Sequence, residues 1–286
     1  MAKRVNTMTV LRRERLTPHM IRLWLGGAGF DDFLPVVGES GLPDTDMYVK
    51  IVFAPEGVTY PQPLDMEAIK ATLPPEQQPV LRTYTVRHHR PDDREIAIDF
   101  VVHGEEGIAG PWADRVEPGE TVTFLGPGSG YRPDPEAPWH LMVSDEAGLP
   151  ALAAGLEALP DDAIAKVFIE VAGESDELPL TAPAGAEITW VHRGAPAGDA
   201  DDAVAGDNAP VIDAVRAASW LPGEPQVFIH GEAQAVMKNL RRYVRKERGV
   251  GARRAGSISG YWRRGRTEEG FRQWKADLRT AEAATS

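Results

Sequence analysis

Residues 82–87 read Arg-Thr-Tyr-Thr-Val-Arg, a β-branched run that mixes charged, hydroxyl and aromatic side chains. The ring of Tyr84 can lie along a planar heterocycle such as an isoalloxazine, and the hydroxyl of Thr85 can reach a ring nitrogen. The guanidinium groups of Arg82 and Arg87 suit a pyrophosphate, because they donate paired hydrogen bonds to phosphate oxygens. On a straight strand Arg82 and Tyr84 point to one face and Thr83 and Thr85 to the other. An edge strand with solvated arginines is the structural alternative.

The next informative segment, residues 99–114, reads DFVVHGEEGIAGPWAD. It predicts a strand that ends near His103, a glycine-containing loop, and a short helix that opens at Gly110 and Pro111. Glycine lets the backbone approach a phosphate closely, and a helix N-terminus presents unpaired N–H groups to an anion. The segment therefore offers a second anion-binding element, although an ordinary strand–loop–helix connection has the same pattern.

Charge is distributed unevenly along the chain. The 286 residues carry a net charge of −12, yet residues 238–279 hold 14 Lys and Arg against 4 Asp and Glu. Proteins that bind nucleic acids are basic over most of their surface, so this class is excluded. A basic patch on an acidic body suits a small anionic ligand, and a solvated basic helix is the alternative.

The chain contains no cysteine, which excludes disulfides, cysteine-ligated iron–sulfur clusters and thiolate metal sites. Redox chemistry would therefore need a bound organic cofactor or a metal with oxygen and nitrogen ligands. No run approaches the roughly 18–20 apolar residues of a membrane span, and no apolar segment follows the basic N-terminal residues as in a secretory signal. We therefore expect a cytoplasmic protein without a membrane span.

The first half of the chain predicts β-structure. Six alternating or β-branched runs are separated by clusters of Pro, Gly and Asp. They cover residues 6–13, 20–26, 47–53, 80–87, 95–103 and 120–125. Six such strands indicate a closed antiparallel barrel, interrupted by the short helix over residues 110–116.

The second half alternates strands with helices, which indicates an open parallel sheet. Strands are predicted at residues 139–144, 166–171, 187–192, 226–230 and 257–261, and helices at 149–159, 210–220 and 234–248. The Gly- and Pro-rich segment 126–138 predicts the boundary between a β-barrel domain, residues 1–130, and an α/β domain with a basic C-terminal segment, residues 138–286. Segment 194–210, rich in Asp, Ala and Gly, predicts a mobile surface loop.

Taken together and in this order, the motifs resemble the siderophore-interacting protein family. RTYTVR, DFVVHGEEGIAGPWAD and PGETVTFLGP are similar to its FAD-binding domain, and the resemblance continues through residues 139–160, 190–194 and 227–270. The family consists of flavin-dependent ferric-siderophore reductases, distant relatives of the ferredoxin–NADP reductases. The resemblance implies FAD as cofactor and NADPH or NADH as co-substrate, with an electron-carrier protein as the alternative donor.

The resemblance also assigns residues to each ligand. Catalysis would rest on the flavin, with Tyr84 and Thr85 positioning its ring. The FAD-binding residues would be Arg82, Thr83, Tyr84, Thr85, Arg87, Asp99, Val101, His103, Ala109, Gly110, Pro111 and Trp112. The NAD(P)H-binding residues would be Asp145 and Glu146, in the turn after the first strand of the second domain, and Arg193 for a 2′-phosphate, with a surface arginine as the alternative. The anionic ferric siderophore would contact Lys50, Arg132, Arg263, Arg264 and Arg266.

The histidines do not indicate a metal site. His88 and His89 are adjacent on a predicted strand, so their side chains should point to opposite faces. We expect no protein-bound metal. Either Tyr261 or Trp262 is predicted to cover the flavin, with packing in the core as the alternative.

We therefore predict an FAD-dependent enzyme that takes a hydride from NAD(P)H and reduces the Fe(III) of a bound siderophore to Fe(II). Ferrous iron is a poorer match for hard oxygen donors, so reduction would release the metal. A flavin reductase with a different acceptor, such as a carrier protein or free flavin, is one alternative. A module that binds the siderophore without turnover is the other.

Overall fold

Alternating apolar side chains in the first half of the chain form six antiparallel strands. The structure, a computed structural model, describes residues 4–38, 40–103, 107–266, 270, 271, 273, 274 and 280. The strands are β1 (Val5–Thr17), β2 (Met20–Gly26), β3 (Tyr48–Phe53), β4 (Val80–Arg90), β5 (Glu95–Val101) and β6 (Thr121–Gly128). They close into a barrel in the order β1-β2-β5-β4-β3-β6, which confirms the predicted six-stranded barrel.

The barrel interior is filled by side chains that face inward from paired strands. Leu23 and Leu25 of β2 and Ile96, Ile98 and Phe100 of β5 have no exposed surface. Burying an aliphatic or aromatic side chain of this size contributes roughly 1.5–3 kcal/mol. The β2–β5 pair is therefore a principal source of the barrel's stability.

The outer face of β2 is covered by cations. Trp24 alternates with the inward-facing leucines and so points outward, yet it is only 3% exposed. The guanidinium groups of Arg12 and Arg90 lie 4.0 and 4.3 Å from its ring centre, and both bond to Glu95. Each cation–π contact contributes about 0.5–2 kcal/mol, which explains how an outward tryptophan is kept from water.

Two short helices belong to the same part of the chain. Helix α1 (Met66–Thr72) lies in a segment for which no element is predicted, because it has a single fully buried residue, Ile69, and hence no helical periodicity. The Asp65 carboxylate caps it by accepting hydrogen bonds from two backbone N–H groups at 3.0 Å each. Helix α2 (Ala109–Arg115) lies within one residue of the prediction at both ends.

The second half of the chain forms a five-stranded parallel sheet, as predicted. Its strands are β7 (His140–Ser144), β8 (Ile164–Val171), β9 (Gly185–His192), β10 (Gln226–Glu232) and β11 (Ser257–Trp262), in the order β11-β10-β7-β8-β9. Helices α3 (Leu149–Glu157) and α4 (Pro210–Ala217) are present where helices are predicted. The predicted helix over 234–248 is present as two π-helical segments, Gln234–Leu240 and Tyr243–Glu247.

The chain divides into two compact units. One comprises Met1–Leu16 and Met20–Arg132, and the other comprises Thr17–His19 and Pro133–Ser286. All five residues of β7 are buried, as expected for the central strand of a parallel sheet covered on both faces. Within the described residues, no helix is long and apolar enough to span a bilayer.

Segment 194–210, which its composition predicts to be a mobile surface loop, connects β9 to α4, and its mobility stays a prediction. It contains two short 3-10 turns, Asp202–Val204 and Gly206–Asn208. The Asp207 carboxylate accepts hydrogen bonds from Gln234 Nε2, 2.9 Å from each oxygen, and from Asn239 Nδ2 at 2.7 Å. These bonds hold the segment against the first π-helical segment, and small residues permit the close approach.

His140 makes the stability of this protein depend on pH. The residue is 1% exposed, and burial lowers its pKa to about 4, whereas histidine in an unfolded chain titrates near pH 6.5. Between these values only the unfolded state binds the proton, so we expect this side chain to lower the free energy of unfolding by about 1.4 kcal/mol per unit of falling pH. Urea unfolding at pH 7, 6 and 5 measures the effect. The His140→Gln variant should lose that part of the pH dependence, and equal slopes for both proteins would contradict the prediction.

Candidate functional site

The register between β3 and β4 brings Lys50 directly opposite Thr83. Residues that pair in this way project to the same face of an antiparallel sheet, with Cβ atoms roughly 4.5–5.5 Å apart. Thr85 lies opposite Tyr48 on the same face. Thr83 is exposed, Lys50 is half-buried and Thr85 is 6% exposed. One face of the barrel therefore carries a cation beside the two hydroxyls of the 82–87 motif.

Arg82 and Tyr84 project to the other face, as predicted for a strand. Arg82 pairs with Ile51, which is buried in the barrel, and its Nη1 donates to the carbonyl oxygen of Leu81 at 3.2 Å. The ring of Tyr84 lies 4.4 Å from the ring of Phe100 at an interplanar angle of 38°. The aromatic ring of the motif is thus held by a fully buried neighbour.

A β-bulge interrupts β4 at Arg87. The register with β5 shifts between Val86 and His88, so that Arg87 is the additional residue. Its side chain is 9% exposed, and its Nη1 lies 3.4 Å from Nδ1 of His88. Because Arg87 follows the inward-facing Val86, strand alternation already turns it away from the barrel interior, and the bulge changes the face of the residues that follow it.

His88 and His89 point to opposite faces, as predicted. His88 stacks on Trp24 at 5.6 Å with the two rings nearly parallel, and His89 stacks on Phe30, also at 5.6 Å. Burial lowers the pKa of His89, which favours the neutral ring among these aromatic residues. Over the described ranges, no three His, Asp or Glu side chains are grouped as metal ligands would be.

Helix α2 begins against the end of β5. A Cβ at Gly110 would lie 3.0 Å from the carbonyl oxygen of Val101, closer than most real contacts, so glycine allows the helix to approach the strand. Ala109 and Pro111 are buried, and proline is tolerated in this first turn. The predicted strand–helix junction is therefore present, with its glycine at the point of closest approach.

The two ends of this junction have different surroundings. Trp112 packs edge-on against Phe53 at 5.3 Å and Phe100 at 5.6 Å, and so closes the barrel beside the ring of Tyr84. His103 is half-buried, two residues beyond the end of β5. Residues 104–106 of the predicted glycine-containing loop lie outside the described residues.

Asp99 is part of a buried ion pair. Its two carboxylate oxygens accept hydrogen bonds from Arg22 Nε at 2.6 Å and Arg22 Nη2 at 2.7 Å. The pair lies across β2 and β5, where Asp99 and Arg22 are direct partners. Bidentate pairs of this kind fix the geometry of both side chains. Both carboxylate oxygens of Asp99 therefore already have a partner within the protein. A contact between Asp99 and a flavin stays a prediction.

Arg132 belongs to a segment that is fastened to the loop before β3. Its Nη1 donates to the carbonyl oxygen of Pro43 at 2.5 Å. The backbone N–H groups of Gly130 and Tyr131 each donate to Asp46 at 2.9 Å. Arg132 is therefore positioned in the barrel unit, and its contact with a siderophore stays a prediction.

In the second unit, Asp145 lies directly after β7 and binds three elements. One oxygen accepts from the backbone N–H groups of Ala147 at 2.9 Å and Gly148 at 3.1 Å. The other accepts from the backbone N–H of Glu232 and from Trp262 Nε1, at 2.8 and 2.7 Å. Burial raises the pKa of Asp145, and these hydrogen bonds oppose the shift. The carboxylate thereby joins the carboxyl ends of β7, β10 and β11.

Arg193, the first residue after β9, is buried between two carboxylates. Its Nη2 donates to Glu146 Oε1 at 2.5 Å, and its Nη1 donates to Glu170 Oε1 at 2.8 Å. Its Nε donates to the carbonyl oxygen of Ala195 at 3.1 Å, and the residue is 7% exposed. Burial raises the pKa of Glu146 to about 7, although Arg193 opposes the shift. Arg193, predicted to bind a 2′-phosphate with a surface arginine as the alternative, is therefore part of a buried Glu–Arg–Glu triad. Its contact with a dinucleotide stays a prediction.

The arginines after β11 also contact the protein itself. Arg263 Nη1 donates to Gln234 Oε1 at 2.7 Å, and Arg264 forms an ion pair with Asp202. Arg266 is exposed. Arg263 and Arg264 therefore help to hold segment 194–210 and the first π-helical segment together. Their contact with a siderophore, like that of Arg266, stays a prediction.

Tyr261 and Trp262 are both hydrogen-bonded within the sheet unit. The hydroxyl of Tyr261 lies 2.7 Å from Nδ1 of the buried His230, whose Nε2 lies 3.0 Å from Ser257 Oγ. Trp262 bonds to Asp145, as described above. These contacts fix the orientation of both aromatic side chains in the second unit.

A cleft lies at the carboxyl edge of the sheet, where open parallel sheets bind their ligands. Ser144, Asp145, Glu170, Arg193 and Glu232 are among its lining residues. Ser144 is 2% exposed, and its hydroxyl has no hydrogen-bond partner among the described residues. A hydroxyl without a partner in the turn after the first strand fits a polar ligand such as a dinucleotide.

Sequence patterns had drawn attention to Asp145, Glu146 and Arg193 but not to Glu170 or Glu232. Glu170 lies inside the apolar strand β8. The one feature of the sequence that could have indicated it is its position next to the end of that strand. Glu232 ends β10 and accepts hydrogen bonds from two backbone N–H groups at the start of the first π-helical segment, at 2.6 and 3.0 Å. Both roles depend on contacts that periodicity does not reveal.

Models of two protein families match the chain in succession. Residues 9–131 match the siderophore-interacting FAD-binding domain, and residues 137–265 match the siderophore-interacting protein model. The fold and the order of the motifs agree with this match, and the chain belongs to the siderophore-interacting protein family.

Two relatives have names that describe an activity. The ferric vibriobactin reductase of Vibrio cholerae serotype O1 is 34% identical over 202 residues, which cover 70% of each chain. The NADPH-dependent ferric-chelate reductase of Escherichia coli K12 is 30% identical over 255 residues, 85% of this chain and 88% of the relative. A solved siderophore utilization protein from T. fusca is 32% identical and superposes with a TM-score of 0.74 over 93% of this chain and 95% of its own.

The side chains around β4 fit the FAD of this domain family. Arg82 offers a guanidinium for a pyrophosphate and Tyr84 a supported aromatic ring, and Thr83 and Thr85 offer hydroxyls on the opposite face of the strand. Gly110 and the first turn of α2 provide a backbone approach beside them. This donor set contains the groups that bind a flavin dinucleotide.

Replacement of Arg82 should weaken FAD retention. A charge-assisted hydrogen bond contributes about 1.5–3 kcal/mol, so Arg82→Ala should lower FAD affinity by roughly 10- to 100-fold. The flavin absorbance per chain after gel filtration, together with FAD titration of the apoprotein, measures this loss. The matched control is Arg15→Ala, which removes an exposed arginine paired with Asp114 in the same unit. Equal FAD retention by all three proteins would remove Arg82 from the site.

Proposed function

We propose that this protein is an FAD-dependent reductase of anionic ferric siderophores that uses NAD(P)H as the electron donor. The observation that carries the proposal is the position of Lys50 opposite Thr83, beside the 82–87 motif. The names of the V. cholerae and E. coli relatives support the reaction class, and the E. coli name supports a nicotinamide donor. A cytoplasmic location stays a prediction from the sequence.

When bound, FAD would accept a hydride from NAD(P)H and deliver its two electrons singly to two ferric ions, with release of one proton. The protein's part is to bind and orient. Arg82 would neutralise the pyrophosphate, Tyr84 would lie along the ring, and the Thr85 hydroxyl would bond to a ring nitrogen. No acid–base side chain is required, because an electron crosses a short gap without a covalent contact.

Lys50 would attract the negatively charged chelate to the barrel face that carries Thr83 and Thr85. The side chain is half-buried, so its ammonium is less screened than that of a fully exposed lysine. On the same face, Thr83 and Thr85 are neutral, whereas Lys50 contributes a positive charge. An anionic acceptor is therefore favoured over a cationic or neutral one.

The visible spectrum under anaerobic conditions tests the proposed reaction. A yellow protein should bleach on addition of NADH or NADPH and recover its colour on addition of ferric citrate or a ferric hydroxamate, with Fe(II) trapped by ferrozine. A bleached protein that no ferric chelate reoxidises would favour a different acceptor. A protein that binds a ferric chelate but takes up no FAD would indicate the non-catalytic binding module.

Replacement of Lys50 should affect the chelate and not the flavin. We expect Lys50→Ala to raise KM for the ferric chelate about 3- to 10-fold, as for the loss of one partly exposed ion pair, and to leave FAD content unchanged. Lys50→Arg should restore most of the affinity. Steady-state kinetics provide the comparison, with Lys70→Ala, an exposed lysine on α1, as the matched control. An unchanged KM in Lys50→Ala would exclude Lys50 from the substrate site.

A further inference from the structure

Glu170 occupies an informative position in the sheet. Counted in chain order, the five strands are arranged 5-4-1-2-3, which, read from the other edge, is the doubly wound order 3-2-1-4-5-6 without its sixth strand. Glu170 lies next to the end of the second strand, β8, about 20 residues after the turn that follows the first strand. In such sheets a carboxylate at this point accepts a hydrogen bond from the ribose 2′-hydroxyl, and an arginine nearby accommodates a 2′-phosphate. This chain has both, as Glu170 and Arg193.

The contacts of Arg193 decide between these two possibilities. All three nitrogen atoms of its guanidinium donate to acceptors of the protein, namely Glu146, Glu170 and the carbonyl oxygen of Ala195. Arg193 is 7% exposed, and Glu146 and Glu170 are each 5% exposed. The side chains of the two glutamates are 6% exposed. A phosphate that took Arg193 would leave two buried carboxylates without their cation, which is a costly rearrangement.

The charge of the cleft opposes a phosphate as well. The cleft is lined by the carboxylates of Asp145, Glu170 and Glu232 and by two guanidinium groups, those of Arg193 and Arg264. Arg193 is shared by Glu146 and Glu170, and Arg264 is paired with Asp202, so neither arginine lacks an anionic partner. Glu170 also keeps one oxygen on the backbone N–H of Val211 at 3.0 Å, so it is held in place beside the cleft. A 2′-phosphate with a charge near −2 would meet this carboxylate, whereas a 2′-hydroxyl could donate to it.

From this geometry we infer that Glu170 makes the cleft selective for a dinucleotide without a 2′-phosphate, so that NADH and not NADPH is the donor. The inference rests on the proposed function, because it requires a nicotinamide dinucleotide at this cleft. Arg193 is then a positioning residue: it holds Glu146 and Glu170 at the edge of the sheet and does not bind phosphate. The competing hypothesis is the one predicted from the sequence, in which Arg193 binds a 2′-phosphate.

Direct binding of the oxidised dinucleotides separates the two hypotheses without a catalytic assay. Calorimetric titration of the FAD-loaded full chain should give at least about tenfold tighter binding of NAD⁺ than of NADP⁺. Glu170→Gln keeps the shape and an acceptor oxygen but removes the charge, so the ratio of the two affinities should fall toward one. The matched control, Glu187→Gln, removes an exposed carboxylate paired with Lys166 in the same sheet and should leave the ratio unchanged.

The outcomes distinguish this inference from the proposed function. Equal or tighter binding of NADP⁺ by the unmodified protein would overturn the inference and leave the nicotinamide donor intact. Binding of neither dinucleotide would overturn the donor and the inference together. If Glu170→Gln does not fold, competition of 2′,5′-ADP and 5′-ADP against bound NAD⁺ on the unmodified protein replaces it. The inference then requires 5′-ADP to be the stronger competitor, and a stronger effect of 2′,5′-ADP contradicts it.

Discussion

The carboxylate of Asp145 is the contact on which the second unit's binding edge depends. It accepts four hydrogen bonds, from three backbone N–H groups and one indole, and so joins the turn after β7 to the ends of β10 and β11. A buried carboxylate is costly unless its oxygens are satisfied, and here both oxygens have two donors. Because of this contact, Glu146, the next residue, is placed where it can share Arg193 with Glu170. The shape of the cleft and its charge therefore follow from the same anchored turn.

The barrel unit positions its functional groups in a different way, through the register and a bulge. Pairing of β3 with β4 sets Lys50 beside Thr83, and the fully buried Phe100 supports the ring of Tyr84 from within the barrel. The bulge at Arg87 then changes which face the following residues occupy. A closed barrel has no open edge at which these strands could slip, so the spacing of the polar groups is fixed by the packing of apolar residues that never meet a ligand.

Several charged residues of this protein make contacts that stabilise its fold. The basic C-terminal run includes Arg263 and Arg264, which bond to Gln234 and Asp202 and hold segment 194–210 in place. Arg22 is paired with Asp99, and Arg12 and Arg90 shield Trp24. Among the described residues of the basic segment, Arg254 is likewise paired with Asp134. Lys50 matters to the proposed function because it brings a positive charge to the barrel face that carries Thr83 and Thr85.

Local patterns in the sequence were sufficient for the barrel, the parallel sheet and the strand–helix junction at α2. Strand β2 begins and ends at the predicted residues, because it is an apolar run interrupted only by Arg22 and turn residues flank it. The family motifs located the FAD-binding domain for the same reason: each is a short, contiguous run. Helix α1 was missed because a single buried residue makes no periodic pattern, and the π-helical form of residues 234–247 has no separate local signal.

The partners of the charged residues were decided by the tertiary structure alone. Arg193 meets Glu170 across 23 residues and Glu146 across 47, and Arg22 meets Asp99 across 77. Neither periodicity nor composition relates residues at such distances, because both describe neighbours along the chain. The sequence could therefore indicate that an arginine ends a strand near a nucleotide cleft. That the charge of Arg193 is already matched by two buried carboxylates follows only from the packing of three strands at one edge of the sheet.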